Sequence, residues 1–241
     1  AVQIYYQLIR DIVIDEQLLS MLQPQRRKQL FSFRFGTDQK RCAAAGLLLW
    51  KHIYHKHPEH FTVSYNASGK PSVANAPFFN LSHSNDFVML AISDTPVGCD
   101  IEKLHKAVLS HHVFPPNELN ALSNLPSGDI QNHEFLRLWT AKEAFLKAIG
   151  TGIDAKASSY DLVKAIPSLS MMVHFGNSNI IQFAIFLTIF RVFAINACNK
   201  KKYHLHFKHY KSGVTLHLPY VLLFRNEDCF YDCLCSSVTV F

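Results

Sequence analysis

The feature that most constrains the fold is a change of apolar period along the chain. From residue 15 to Tyr54 the apolar residues recur at helical spacing. Leu18, Leu19, Leu22, Leu30 and Phe31 form the apolar side of a helical stretch over 15–34. Pro24 starts a second piece within it, because proline is tolerated in a first turn. Thr37 is the expected N-cap of the next helix, with Ala44, Leu47, Leu48 and Tyr54 on its apolar side and Arg41 in its first turns. From residue 61 short strands take over, at 61–65, 78–81, 87–93 and 97–101, after a first strand at 2–9. Residues 66–71 (NASGKP) have turn composition, and 94–96 predicts a hairpin between the last two strands. A short helix is expected at 116–122, broken by 126–128. A long helix over 131–149 ends at Gly150. Strands at 159–163, 170–175, 180–188 and 191–198 complete the pattern. Helices and strands segregated in this way predict an α+β fold rather than a doubly wound sheet.

Composition excludes several classes. At 241 residues, 49% apolar and 17% charged, the chain is not disordered and can bury a core as one large domain or two small ones. No membrane anchor is expected. The greasiest run, 180–198, is interrupted by Gln182, Arg191 and Asn196, whereas a spanning helix needs about 20 predominantly apolar residues. Arg10, Asp11, Asp15 and Glu16 replace the apolar core of a secretory signal. Cys42, Cys99 and Cys198 sit in settings typical of buried thiols. Cys229, Cys233 and Cys235 lack the paired spacing of a zinc site, which points to a reducing compartment. The net charge of +6 suits nucleic acid, an anionic small ligand or an acidic protein. Residues 199–241 hold six basic residues against three acidic ones.

Three constellations carry chemistry. In Gly98-Cys99-Asp100-Ile101-Glu102, strand alternation puts Asp100 and Glu102 on one face and Cys99 and Ile101 toward the core. Two such carboxylates suit a hard cation such as Mg²⁺, although an isolated D-x-E is more often a solvated face. Glu143 and Lys147 are four apart on the long helix, with Trp139 one turn earlier and Gly150-Thr151-Gly152 behind. They are either a surface pair contributing about 0.2–0.5 kcal/mol or a further carboxylate beside a phosphate-binding amine. Gly69-Lys70-Pro71, followed by Phe79-Asn80-Leu81-Ser82-His83-Ser84, offers donors to an anion, or a flexible lysine and a turn capped by Ser82.

Taken in order, these segments resemble the 4′-phosphopantetheinyl transferase superfamily, in its long pseudo-dimeric, surfactin-synthetase-activating class. That class shows GKP, FN(I/L)SHS, G(I/C)DIE and W(T/S)xKE(A/S)xxK with GxG behind it. The four motifs stand here at 69–71, 79–84, 98–102 and 139–152, and the likeness covers about 25–198. Asp38-Gln39-Lys40-Arg41 resembles the family's helical arginine at the adenosine end of coenzyme A. Phe114-Pro115-Pro116-Asn117-Glu118 resembles a connecting segment, with no catalytic role assigned to Glu118.

The resemblance implies two similar α/β subdomains about a pseudo-twofold axis, with the active site in the cleft between them. The halves would be 1–104 and 105–198, followed by a tail at 199–241 of unassigned role. It implies a holo-acyl-carrier-protein synthase. Such an enzyme moves 4′-phosphopantetheine from coenzyme A to a serine of an apo acyl, peptidyl or aryl carrier protein, and adenosine 3′,5′-bisphosphate leaves. Asp100, Glu102 and Glu143 would bind Mg²⁺. Glu143, directly or through a metal-bound water, and Lys147 would be catalytic. Arg41, Lys70, Ser82, His83 and Lys147 would hold coenzyme A. The expected setting is a cytoplasmic monomer serving fatty acid or secondary metabolite biosynthesis, acting on neither nucleic acid nor membrane.

Two rivals stand beside this. One is a non-catalytic binder of coenzyme A or carrier proteins. The other is a nucleic-acid binder using the tail residues 200–203 and 207–211. The tail itself, where His204 and His206 would share a strand face, reads as an extra layer, an oligomer contact or a shifted reading frame.

Overall fold

The computed structural model describes residues 2–103, 113–153 and 157–162 in full, and the backbone of seven strands between 170 and 240. The strand expected at 191–198 and residues Cys198, Cys229, Cys235, His204 and His209 lie outside the described residues, as does the expected domain boundary at 104/105.

The chain opens with β1 (Val2–Leu8) and three helices, α1 (Glu16–Met21), α2 (Pro24–Ser32) and α3 (Gly36–His52). Asp15 caps α1 by accepting from the Leu18 N–H at 2.7 Å. Pro24 begins α2, as its position predicts. Thr37 is not the cap of α3. The helix starts one residue earlier, and the Asp38 and Gln39 N–H groups bond to the Phe35 carbonyl, so Thr37 falls within the first turn. Phe31 is also not on the buried side. It is 64% exposed, because α2 turns Leu30 inward instead.

The helices lie on a sheet. β4 (Phe78–Ser84) and β5 (Phe87–Ser93) form an antiparallel hairpin, and β1 pairs with the other edge of β5. Leu22, Leu30, Leu49, Ile53, Phe79 and Leu90 pack between helices and sheet as one core. A small ribbon, β2 (Val63–Tyr65) with β3 (Pro71–Val73), closes around the NASGKP turn. β3 was not expected from the sequence.

The next strand, β6 (Val97–Lys103), does not form the hairpin expected at 94–96. A strand has two edges, and both edges of β5 are already taken. Residues 94–96 instead carry the chain across to a second sheet. There β6 pairs antiparallel with β8 (Asn179–Leu187), which pairs with β7 (Ser170–Phe175).

α4 (Pro116–Ser123) precedes the long α5 (Asp129–Ile149), which ends on Gly150 in the left-handed conformation at φ 78°. Phe114, Leu122, Phe135, Leu136, Leu138 and Leu162 make a second core around α5. The strand expected from 159 is absent through residue 162. A single 3-10 turn, Ala157–Ser159, stands there, and Leu162 is buried against α5 with its N–H taken by a side chain of α4.

The backbone of the tail joins the first sheet. β9 (Leu205–Lys208) runs parallel to β1, and β13 (Val238–Val240) and β10 (Val214–Leu216) extend the sheet beyond it. β11 (Tyr220–Phe224) and β12 (Phe230–Leu234) pair separately. The result is a mixed α+β architecture with one sheet of six strands and one of three. Among the described residues no helix is long and apolar enough to cross a membrane.

Candidate active site

Gly98 sets how near α5 comes to β6. A Cβ there would stand 2.0 Å from the Ala144 carbonyl oxygen and 2.3 Å from the Ala148 nitrogen, both helix backbone. With no side chain at 98, helix and strand touch, and Lys147 on α5 reaches Asp100 on β6. Gly98→Ala is therefore expected to force α5 outward at a cost of about 1–3 kcal/mol. Calorimetry should show unfolding several degrees lower, at about 2–4 °C per kcal/mol for a chain of this size.

The two sheets meet along β4 and β6 without a main-chain ladder. Side chains make the joint. The Cys99 N–H donates to Asn80 Oδ1 at 2.9 Å, the Ile101 N–H to Ser82 Oγ at 3.3 Å and the Lys103 N–H to Ser84 Oγ at 3.1 Å. Partner numbers rise together, so the two strands run in the same direction. Residues 80, 82 and 84 share one face of β4 because a strand alternates. This is what the FNLSHS segment does structurally, and Asn80 and Ser84 were missed as site residues. Their signal was the period-two series of small polar residues, Asn80, Ser82 and Ser84.

The same hydroxyls reach the carboxylates. Ser82 Oγ donates to Asp100 Oδ1 at 2.7 Å, and Ser84 Oγ to Glu102 Oε2 at 2.8 Å. The Lys147 ammonium donates to Asp100 Oδ1 at 2.6 Å and to Ser82 Oγ at 3.2 Å, and lies 3.8 Å from Glu143 Oε2. Ser82 thus spends its single O–H on Asp100 and accepts from Ile101 and Lys147. It has no hydrogen left for a phosphate in this arrangement. His83, expected beside Ser82 on one anion, points to the opposite face of β4.

Electrostatics tie the group together. Burial pushes the Asp100 carboxyl above the usual carboxylate range, against the pull of Lys147 and Ser82. Burial also raises Glu143, with Asp100 and Glu102 adding to the rise and Lys147 opposing it. Burial disfavours the charge on Lys147, but Asp100 and Glu143 outweigh it and hold the ammonium above the ordinary lysine value. Far from a solvated strand face, Asp100 is 3% exposed.

Two cationic residues flank this centre. Arg41 donates to the Asn85 carbonyl at 2.9 Å and to Asp38 at 2.7 Å. Partial desolvation, then the Arg41 and Lys147 charges, holds the His83 imidazole below the ordinary histidine value. Lys70 reaches the second sheet and the helix end. Its ammonium donates to the Val97 carbonyl at 3.1 Å and the Ala148 carbonyl at 2.8 Å, and burial lowers its pKa. Asn66 Nδ2 donates to the Gly150 carbonyl at 2.8 Å. The NASGKP turn therefore caps the C-terminal end of α5, where free carbonyls need donors.

A second buried charge pair lies on the far side of α5. Glu118 and Lys142 are both fully buried, 2.6 Å apart. Glu118 Oε1 accepts from the Leu162 N–H at 2.6 Å, and Lys142 donates to the Tyr160 carbonyl. Burial pushes Glu118 up and Lys142 down. Trp139 packs with Phe114 and Phe135 on this side, away from the carboxylates.

The donor types, three carboxylates with one buried and unpartnered oxygen, are those that suit a hard cation such as magnesium. Asp100 Oδ2 is buried and has no hydrogen-bond partner among the described residues, and Glu102 and Glu143 are close enough to affect its neighbourhood electrostatically. The three carboxylates are not gathered on a common point, and the Lys147 ammonium holds two of them. Among the described residues, His57, Glu59 and His60 do have ligand atoms within 4.8 Å of one another, on an exposed turn after α3.

An α+β protein with three acidic side chains and an amine at the joint of two sheets is a specific class, and sequence comparison identifies it. A family model described as 4'-phosphopantetheinyl transferase superfamily matches residues 96–211. A second, described as 4'-phosphopantetheinyl transferase, N-terminal, matches residues 15–95. The chain belongs to the 4′-phosphopantetheinyl transferase superfamily, in its long type. The junction of the two matches falls on the crossing at 94–96, and the superfamily match reaches past residue 198 into the tail. The chain is 35% identical over 153 residues to 4'-phosphopantetheinyl transferase psf-1 of Bacillus pumilus, covering 60% of this chain and 65% of that protein. It is 38% identical over 97 residues to 4'-phosphopantetheinyl transferase gsp of Aneurinibacillus migulanus, covering 39% and 40%. It is 28% identical over 155 residues to 4'-phosphopantetheinyl transferase Sfp of Bacillus subtilis (strain 168), covering 61% and 69%. The chain spans just under two thirds of the psf-1 protein and 42% of a putative 4'-phosphopantetheinyl transferase of Synechocystis.

Proposed function

We propose that the chain transfers the 4′-phosphopantetheine group of coenzyme A to a serine hydroxyl of an apo carrier protein. The observation that carries this reading is the Asp100–Lys147–Glu143 group at the β4–β6 joint, in a chain of this family. The serine oxygen attacks the β-phosphorus of the pyrophosphate. The bond to the leaving phosphate breaks, and adenosine 3′,5′-bisphosphate departs. Phosphoryl transfer of this kind depends mostly on positioning and charge neutralisation.

Each side chain then has a task. Glu143 takes the serine proton, and its raised pKa brings it nearer the working range of a general base. Lys147 sets a fixed positive charge against the developing negative charge of the transferred group. Arg41 offers positive charge to the adenosine phosphates, and His83 offers a neutral imidazole N–H beside it. Lys70 keeps one N–H for a phosphate oxygen after its two carbonyl bonds. Ser82 orients Asp100 rather than holding phosphate. Asp100, Glu102 and Glu143 would hold Mg²⁺, which when bound neutralises charge on pyrophosphate oxygens.

The wider reading is of two similar halves, about 1–104 and 105–198, facing each other across a cleft. A sheet holding β1, β4 and β5 and a second holding β6, β7 and β8 support two units, although β6 (Val97–Lys103) pairs in the second sheet rather than with the strands before it. Cys42 and Cys99 are free, buried thiols, which supports a reducing cytoplasmic setting.

The test is direct. The full chain is incubated with Mg²⁺, coenzyme A and a panel of apo acyl, peptidyl and aryl carrier proteins, then read by intact mass spectrometry. At least one carrier should gain one phosphopantetheine group on its serine. Saturable carrier binding without a mass gain on any of them would instead make the chain a non-catalytic binder.

A further inference from the structure

Ser84 closes the FNLSHS segment, and no step of the reaction uses it. Its hydroxyl is nevertheless fully committed. The O–H donates to Glu102 Oε2 at 2.8 Å, and the oxygen accepts from the Lys103 N–H at 3.1 Å. A serine hydroxyl has one hydrogen, so in this arrangement Ser84 gives nothing to a ligand.

Its place in the joint explains why a hydroxyl is needed there. Asn80 and Ser82, the first two members of the series, are buried, and the third lies where the joint opens to solvent. Asp100, beside the second, is fixed by burial, by Ser82 and by Lys147. Glu102, beside the third, is only half-buried and has a longer side chain. Fixing a glutamate in one rotamer costs up to about 1.5–2 kcal/mol. A charge-assisted hydrogen bond from a hydroxyl held on the same strand pair offsets a cost of that size. The backbone bond from Lys103 fixes where the hydroxyl sits, so it fixes where the carboxylate is held.

We propose that Ser84 is a positioning residue for the cation site, keeping the Glu102 carboxylate on the β6 face that it shares with Asp100. This rests on the reading of Asp100, Glu102 and Glu143 as the metal carboxylates. Hydrogen-bond partners of metal ligands typically contribute about 10–100-fold to metal affinity.

The experiment compares the 241-residue chain with its Ser84→Thr, Ser84→Val and Glu102→Gln variants. Threonine and valine have nearly the same shape, and only threonine keeps the hydroxyl. Mn²⁺ binding in the presence of coenzyme A is followed by the electron paramagnetic resonance signal of free Mn²⁺, with unfolding temperature measured alongside. The expected result is Mn²⁺ affinity weakened at least about tenfold in Ser84→Val. Ser84→Thr should stay within about threefold of the parent chain, at matching unfolding temperatures for the Thr and Val variants. Equal Mn²⁺ affinities for Thr and Val would overturn the proposal. Wild-type affinity in Glu102→Gln would overturn the metal reading itself and the proposal with it. If Glu102→Gln loses affinity while Ser84→Val keeps it, only the role of Ser84 fails.

Discussion

Glu143→Gln is expected to lower turnover by about 10²–10⁴-fold, the range for loss of a positioned general base. Its unfolding temperature should change little. Glutamine keeps the shape and the half-buried position of Glu143 on α5, and removes a charge that Asp100 and Glu102 already oppose. The measurement is initial rate against coenzyme A concentration with one modified carrier. A fall in kcat with KM for coenzyme A nearly unchanged identifies a group that acts in the transition state. Near-normal turnover would remove Glu143 from both of its assigned tasks. A rise in KM alone would make it a binding residue.

Lys142→Met should produce the largest loss of stability in the chain. It leaves the Glu118 carboxylate fully buried and without its cation. Removing one partner of a buried ion pair typically costs about 3–5 kcal/mol. For a chain of this size that lowers the unfolding temperature by about 6–20 °C in calorimetry. The double variant Lys142→Met with Glu118→Gln should recover most of the loss, because the amide oxygen can still accept from Leu162 without leaving a charge behind. Activity per folded molecule should survive, since the pair lies across α5 from the carboxylate group. An unchanged unfolding temperature in Lys142→Met would show that the charge finds solvent.

These two lysines show how far the sequence reaches. Lys147 was legible because helical spacing puts it four residues from Glu143, and the contact follows. Lys142 carries a weaker signal. It continues a helical stripe through Leu138 to Leu146, all buried, where a charge is out of place. Its partner is 24 positions away on another helix, and no local period points to it. The same limit applies at 94–96. Turn composition marks where a strand ends, but the edges of β5 decide what comes next. Alternation correctly put Asp100 and Glu102 on one side of β6. What orients them, Ser82 and Ser84, pairs at a constant separation far outside any local window.

The side-chain joint between β4 and β6 also bears on how the chain avoids misfolding. Three oxygens on alternate residues of β4 receive three N–H groups on alternate residues of β6. A slip of β6 by one position would turn Asp100 and Glu102 to its opposite face, away from α5 and from Lys147. It would also leave buried Asn80 and Ser82 without donors. A mis-threaded chain would pay both penalties together, so an inert but well-bonded alternative is ruled out by the same atoms that aim the carboxylates. Proofreading of the fold and assembly of the reaction centre are, at this joint, a single event.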